Sequence, residues 1–248
     1  MPINVNGTEI NSTIVRTLSY KDIPTDNLLI HLDASANDSY PGSGAIWYDI
    51  TGNGYDATLN NSVGYTSNGG GMMTFNGSNQ TAVINVNSFA RNNVAYTFST
   101  FFYLTTSDGG APFCMMTTPN DTNNNDGFWQ HLNLGNWLWR TEDSSGEFGG
   151  NAESPSTFVG GNYYHIVVVV KTNQLLFYRN GTLLSTISTT FSWANVRNDN
   201  TMYLFIGKGY EDDYRMTGNI GNFQLYNKQL SATEISSIYN TQKSRFGL

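Results

Sequence analysis

The chain is poor in charge, and the charge that it has is mostly negative. Only 12% of its 248 residues are Asp, Glu, Lys or Arg, where an average globular domain has about 25%. Twelve Lys and Arg stand against nineteen Asp and Glu, so the net charge is -7. Binding to nucleic-acid phosphates depends on rows of Lys and Arg. We therefore expect no nucleic-acid partner.

Cysteine and long hydrophobic runs are also scarce. The single cysteine, Cys114, excludes a disulfide within the chain, and its apolar neighbours indicate a small buried residue. No apolar run approaches the ~18 residues of a membrane span, and Val167–Val170 is long enough only for a buried strand. The first residues, Met1–Asn6, lack the basic region and apolar stretch of a signal peptide. We expect no membrane insertion and no secretion signal.

Short apolar and β-branched segments, separated by Gly and Asn turns, fill the body of the chain. They predict an all-β, two-sheet antiparallel sandwich. The predicted strands are 28–32, 72–75, 81–86, 96–104, 112–118, 128–134, 136–140, 163–171, 174–179, 182–187, 201–206 and 219–226. Asn180-Gly181 predicts a hairpin between two of them, because both residues of such a turn need positive φ. Asn76-Gly77-Ser78-Asn79 predicts another turn.

One short helix is predicted near the C-terminus. Ser231 and Glu234 have the spacing of a capping box, in which each side chain accepts from a free backbone N–H. Ile235, Ile238 and Tyr239 then share a face, and the pattern ends near Gln242. We divide the chain into an N-terminal arm at 1–26, one compact domain at 27–242 and a C-terminal tail at 243–248.

The order of the motifs resembles the concanavalin A-like lectin/glucanase superfamily, and in particular its laminin G-like branch. The resemblance runs from about residue 28 to 242 and implies a jelly-roll sandwich. Its motifs are Leu28-Leu29-Ile30-His31-Leu32-Asp33, Trp47-Tyr48-Asp49-Ile50-Thr51-Gly52-Asn53-Gly54, Met73-Thr74-Phe75-Asn76-Gly77, Tyr96-Thr97-Phe98-Ser99, Tyr164-His165-Ile166-Val167, Leu176-Phe177-Tyr178-Arg179-Asn180-Gly181, Ile206-Gly207, Gly218-Asn219-Ile220 and Leu225-Tyr226-Asn227-Lys228-Gln229-Leu230-Ser231.

The glucanases of that superfamily carry their catalytic carboxylates on one strand as E-x-D-x-x-E, a spacing that this sequence lacks. Glu142-Asp143 with Glu147 has the wrong spacing. Three consecutive acidic residues, Glu211 to Asp213, cannot all face one side of a strand. His31, His131 and His165 lie in separate apolar strands, which indicates buried structural histidines. We expect a protein that is not an enzyme.

Calcium is the one cofactor candidate, since proteins of this fold often hold Ca²⁺ at a sheet edge; none is required by the sequence. Ca²⁺ takes six to eight oxygen ligands. The candidate ligands are Asp33, Asp49, Asn53 and Asp56 in one region and Glu211, Asp212 and Asp213 in another. The alternative for the first group is that its side chains hydrogen-bond their own backbone and shape a turn. For the second group it is a solvated acidic loop. No acidic residue follows Gly218-Asn219-Ile220, where the family has one.

Aromatic side chains are the candidates for sugar binding, because sugars dock on flat aromatic faces. Those in or beside predicted rim loops are Trp129, Trp137, Trp139, Tyr210 and Tyr214. The alternative is packing in the sandwich core. The spacing of Trp137 and Trp139 places both rings on one face of a strand, as core or as a platform.

The arm, Ser39-Tyr40-Pro41-Gly42-Ser43-Gly44 and the end of the chain at 239–248 resemble laminin G-like proteins of tailed phages. This resemblance implies a virion structural protein, such as a decoration, appendage or fibre component, made in the host cytoplasm. Its expected partners are other virion proteins or copies of itself, with a cell-surface glycan at the rim loops. The alternatives are an extracellular, free-standing carbohydrate-binding module or adhesin, and third a glucan hydrolase.

Overall fold

The computed structural model describes residues 3–5, 8–10, 23–89, 95–108, 110–117, 126–144, 146–153, 158–196, 202–209 and 214–248, with the backbone alone at 3–5, 8–10, 147, 148 and 151–153. Two antiparallel eight-stranded sheets form a sandwich, and the predicted fold is confirmed. The strands are β1 (Ile3–Val5), β2 (Thr8–Ile10), β3 (Leu28–Asp33), β4 (Ile46–Trp47), β5 (Ala57–Asn60), β6 (Gly64–Thr66), β7 (Met72–Asn76), β8 (Thr81–Asn85), β9 (Ala95–Leu104), β10 (Phe113–Thr117), β11 (Gly127–Asn133), β12 (Asn136–Asp143), β13 (Gly146–Glu153), β14 (Asn162–Lys171), β15 (Gln174–Arg179), β16 (Thr182–Ser188), β17 (Met202–Ile206) and β18 (Thr217–Tyr226).

The first sheet, sheet I, has the order β16-β15-β14-β9-β18-β7-β6, with β3 also paired to β18. Sheet II has the order β13-β12-β11-β10-β17-β8-β5-β4. The arm contributes β1 and β2, which pair with each other and, among the described strands, with no strand of the sandwich. The predicted β-prone piece at 13–18 lies outside the described residues.

The main core lies between the sheets, where alternate residues of the central strands are apolar and buried. The four consecutive valines of β14 show how both faces of sheet I are used. Val168 and Val170 belong to the main core, whereas Val167 and Val169 pack in a second cluster on the opposite face. The valine run is therefore buried on both sides, as its composition predicts.

Helix α1 (Ala232–Gln242) covers this opposite face of sheet I. The Ser231 hydroxyl accepts from the backbone N–H of Glu234, and the Glu234 carboxylate accepts from the backbone N–H of Ser231, so the predicted capping box is present. Ile235 and Ile238 are fully buried in the second cluster. Both turns that the sequence predicts are also formed, with Asn180 at φ 49° and Gly181 at φ 77°, and with Gly77 at φ 71°.

Residues 243–248, which the sequence suggests as a separate tail, are packed against the sandwich. A 3₁₀ turn at Lys243–Phe246 brings Phe246 onto the ring of Phe101, with the ring centroids 4.7 Å apart. Arg245 forms an ion pair with Asp33 at 2.8 Å. Its guanidinium also donates to the carbonyl oxygens of Gly69 and Gly71. The end of the chain is thus held to sheet I by both apolar and charged contacts.

Candidate functional site

The face of sheet II that points away from the sandwich carries a continuous row of side chains. The strand register places Trp129 opposite both Arg140 and Cys114, and Phe205 opposite both Cys114 and Val83. Directly opposed residues project to the same side of a sheet. Their neighbours along the strands, such as Phe128, Met115 and Leu204, lie in the main core. The row therefore lies on the outer face of sheet II.

The middle of this row is apolar and tightly packed. Cys114, Met116, Trp129 and Phe205 form a cluster in which no side chain is more than 5% exposed, with Tyr203 packed against it. Burial raises the pKa of the Cys114 thiol to about 12, so the thiol stays protonated and unreactive at neutral pH.

A stacked pair of rings lies at one end of the outer face. The His131 and Tyr214 ring centroids are 4.1 Å apart and their planes are inclined by 25°. His131 follows Trp129 by two residues on β11 and so shares its face. Tyr214 is positioned by its backbone, whose carbonyl oxygen accepts from Ala111 and Gly209 at 3.2 and 2.8 Å. Tyr214 is half-buried, so part of the residue remains accessible to solvent.

The polar groups around this pair are mainly basic. Arg140 is exposed on β12, and the ammonium group of Lys208 lies 5.4 Å from the centre of the Phe205 ring. Burial, with a smaller contribution from Arg140, lowers the pKa of His131, and Asp108 opposes this. His131 is thus neutral at pH 7 and can act as a hydrogen-bonding ring.

Carboxylates are rare on the outer face. The outward positions of the four central strands are Thr81, Val83 and Asn85 on β8, Cys114 and Met116 on β10, Gly127, Trp129, His131 and Asn133 on β11, and Tyr203 and Phe205 on β17. None of them is Asp or Glu. On β12, Glu142 lies on the same face as Arg140, and the register places Glu147 of β13 directly opposite Glu142. These acidic residues therefore lie at the β12–β13 edge, away from the four central strands.

The sequence-predicted aromatic residues lie on opposite sides of sheet II. Trp129 and Tyr214 are on the outer face, whereas Trp137 and Trp139 belong to the main core and are 0% and 5% exposed. The Trp137 ring contacts Phe177 edge-on at 5.0 Å, and its indole N–H donates to Gln130. A ring buried in this way cannot stack on a sugar, so Trp137 and Trp139 act in packing. Trp129 is 2% exposed and packs in the cluster on the outer face, so the same holds for its ring. Tyr210 lies outside the described residues.

The first group of calcium candidates shapes a turn. The Asp49 carboxylate accepts from the backbone N–H groups of His31 and Thr51 at 3.0 and 3.1 Å and from the Thr51 hydroxyl at 2.7 Å. Asp56 accepts from the backbone N–H of Asp49, and the Asn53 amide donates to the Leu29 carbonyl oxygen. These contacts correspond to the turn-shaping alternative.

Asp33, the fourth residue of that group, is paired with Arg245 and also accepts from the hydroxyl of Ser35. Within the described ranges, no three His, Cys, Asp or Glu side chains are grouped so that they could hold a metal ion. Glu211, Asp212 and Asp213 fall outside those ranges.

Sequence reasoning named His131 only as a buried structural histidine, which agrees with its 8% exposure, and did not name Arg140. The sequence spacing carried a signal for both residues. His131 lies two residues after Trp129, and Arg140 lies opposite Trp129 once β11 and β12 form a hairpin through Leu134-Gly135. The register, which the sequence does not specify, was needed to bring them together.

In the described part of the chain, every helix is too short or too polar to cross a bilayer.

Comparison with known proteins supports the fold. A laminin G-type family model, described as the concanavalin A-like lectin/glucanases superfamily, matches residues 75–236, which is well over half of the chain. No curated protein sequence matches this chain.

Several solved structures are similar in fold. The binding domain of Paraclostridial Mosquitocidal Protein 1 aligns with 16% identity and a TM-score of 0.63, over 87% of this chain and 52% of that one. Domain 4 of AbnA, a GH43 extracellular arabinanase from Geobacillus stearothermophilus, solved with arabinotriose, aligns with 16% identity and a TM-score of 0.64, over 86% and 98%. A Trypanosoma rangeli sialidase aligns with 18% identity and a TM-score of 0.65, over 98% and 42%. The chain thus spans about half or less of the toxin and sialidase chains and nearly all of the arabinanase domain.

Proposed function

The chain belongs to the concanavalin A-like lectin/glucanases superfamily, and from this premise we propose that it is a non-catalytic, glycan-binding protein whose binding face is the outer face of sheet II. The observation that carries the proposal is the composition of that face. It combines the partly exposed ring of Tyr214, stacked on the buried ring of His131, with the exposed residue Arg140.

An aromatic ring beside a few hydrogen-bonding groups suits a saccharide. The C–H-rich face of a sugar packs on a ring, and its hydroxyl groups pair with the polar neighbours. The similar domain of the arabinanase was solved with arabinotriose, which gives one neutral oligosaccharide to test first. The lack of carboxylates on the four central strands supports binding without hydrolysis.

A glycan array that includes arabino-oligosaccharides and sialylated chains, followed by calorimetry, tests the proposal. We expect Tyr214→Ala to weaken binding at least about tenfold, equivalent to about 1.4 kcal/mol. The matched control is Tyr48→Ala, because Tyr48 is a tyrosine that is 44% exposed and lies near β4, away from His131. The proposal fails if no glycan binds, or if both variants bind as the wild type does.

Catalysis is tested separately by reducing-sugar release. Laminarin and arabinan incubated with the purified chain are expected to release no more sugar than buffer controls. Release that is proportional to protein concentration would establish a glycosidase and end the non-catalytic assignment.

A virion role is our second proposal, and it is supported by the arm. β1 and β2 pair with each other and, among the described strands, with none of the sandwich; in this proposal the element joins a neighbouring subunit. In this role the chain is a decoration, appendage or fibre component that carries the glycan-binding face outward. Immunogold electron microscopy of phage particles from the source of the sequence tests this. Gold on the particles supports it, and its absence from all particles rules it out.

A further inference from the structure

A second candidate binding site lies at the edge of the sandwich where the chain crosses from sheet II to sheet I. A pocket of about 540 Å³ opens there, which is within the range of about 300–1,000 Å³ typical of small-molecule sites. Its lining residues come from the loop before β4 and from the β5–β6 crossing: Tyr40, Gly42, Gly44, Ala45, Leu59, Ser62, Val63 and Tyr65. All of them belong to the described residues.

Two tyrosines give the pocket an aromatic wall and floor. Tyr40 is 4% exposed and belongs to the main core, whereas Tyr65 is 39% exposed. Their ring centroids are 5.4 Å apart with the planes inclined by 43°. The buried ring therefore supports the exposed one, and part of Tyr65 can be reached by solvent or a ligand.

The walls of the pocket are held in place by hydrogen bonds. The Tyr40 hydroxyl donates to the carbonyl oxygen of Gly44 at 3.2 Å, and this fixes the loop before β4. In the crossing, Asn61 and Ser62 have φ values of 58° and 57°, a conformation that costs energy for a residue such as serine. A hydrogen bond from outside the crossing stabilises this conformation, because the Gln80 amide donates to the Ser62 carbonyl oxygen at 2.6 Å.

A fixed pocket loses little conformational freedom when it binds a ligand. The lining also defines the ligand, because none of the eight residues is charged. Hydroxyl groups and backbone amides are the polar groups present, and Leu59 and Val63 expose only 7% and 8% of their surfaces. A large apolar ligand or a charged one would gain little here.

The geometry points to this edge pocket as a second carbohydrate site, which takes one neutral pyranose ring stacked on Tyr65. It is separate from the outer face of sheet II. In that sheet β5 lies four strands from β11, a distance of about 19 Å at the usual strand spacing. The inference therefore stands or falls independently of the proposed function, and a chain with both sites would bind multivalent glycans with avidity.

Amide-resolved NMR on the full chain tests the inference. The probes are the methyl glycosides of glucose, galactose, mannose and N-acetylglucosamine, with N-acetylneuraminic acid as a charged comparison. We expect at least one neutral probe to give saturable shifts at the Gly42, Gly44 and Ser62 amides, with an affinity in the millimolar range. N-acetylneuraminic acid should give none there.

Three variants assign the effect to the Tyr65 ring. Tyr65→Ala should weaken the response at least about tenfold, whereas Tyr65→Phe, which keeps the ring, should retain it within about threefold. Tyr48→Ala, the matched exposed tyrosine outside the pocket, should leave it unchanged. The inference is overturned if no neutral probe shifts these amides, if Tyr65→Ala, folded as judged by its spectrum, responds like the wild type, or if Tyr65→Phe loses binding as fully as Tyr65→Ala.

Discussion

The burial of His165 predicts that the protein loses stability in mild acid, well before its carboxylates are protonated. His165 lies between sheet I and α1 with none of its surface exposed, its Nε2 atom is 3.0 Å from the Ser99 hydroxyl, and its ring is stacked on Phe101 at 4.1 Å. Its Nδ1 atom has no hydrogen-bond partner among the described residues. A charge there would be poorly solvated, and burial lowers the pKa of His165 from 6.5 to about 3.

The sign and size of this pH effect on the unfolding free energy follow from the linkage between proton binding and folding. Because the folded-state pKa is lowered, the unfolded chain binds the proton first, and stability falls as the pH drops below 6.5. Each pH unit between 6.5 and 3 costs about 1.4 kcal/mol, so lowering the pH from 8 to 5 should remove about 2 kcal/mol through this residue. His31 acts in the same direction, since burial also lowers its pKa.

Urea unfolding followed by tryptophan fluorescence, at pH 8 and at pH 5, measures the effect. In His165→Gln the decrease in unfolding free energy between the two pH values should be about 2 kcal/mol smaller than in the wild type, whatever the variant costs at pH 8. An identical decrease in both proteins, or an NMR titration of the His165 ring with a midpoint near 6.5, would refute the reasoning.

Two further predictions concern the end of the chain and the proposed calcium region. Phe246→Ala should lower the unfolding free energy by about 3–5 kcal/mol, as for other buried phenylalanines, because Phe246 is 2% exposed and its ring stacks on Phe101. A loss below about 1 kcal/mol in urea unfolding would show that residues 243–248 are a free tail. Asp49→Ala should lower the unfolding free energy by at least about 2 kcal/mol, because it leaves the backbone N–H groups of His31 and Thr51 unpaired. EDTA should leave the wild-type Tm unchanged. A Tm that falls with EDTA and recovers with Ca²⁺ would instead establish a bound ion.

Most of the fold could be predicted because its strands are locally encoded. The segments from 95 to 104 and from 162 to 171 are rich in aromatic and β-branched residues, and they pair in register along their full lengths. The predicted turn at Asn180-Gly181 and the cap at Ser231 depend on the chemistry of one or two residues. Local propensity and tertiary structure agree at these places.

The strands that sequence reasoning missed lack such local signals. β13 has the sequence Gly-Glu-Phe-Gly-Gly-Asn-Ala-Glu and forms through its pairing with β12. β5 and β6, of four and three residues, are ordered by the strands beside them. Such short or glycine-rich strands depend on tertiary pairing that periodicity cannot show.

The candidate sites were harder to predict than the fold, because a strand pattern does not say which face points inward. The spacing of Trp137 and Trp139 predicts that both rings lie on one face of the strand. Only their packing against Phe177 identifies that face as the core side. The grouping of Trp129, His131 and Arg140 requires the register of β11 on β12. The pocket at Tyr40 and Tyr65 requires a crossing between the two sheets.

The central claim is that the outer face of sheet II binds glycan, and a crystal structure of the chain with its tightest array glycan tests it most directly. We predict a sugar ring packed on Tyr214, with a hydroxyl or carboxylate group within hydrogen-bonding distance of Arg140. A sugar bound only elsewhere on the molecule, with this face empty at saturating glycan, would contradict the account.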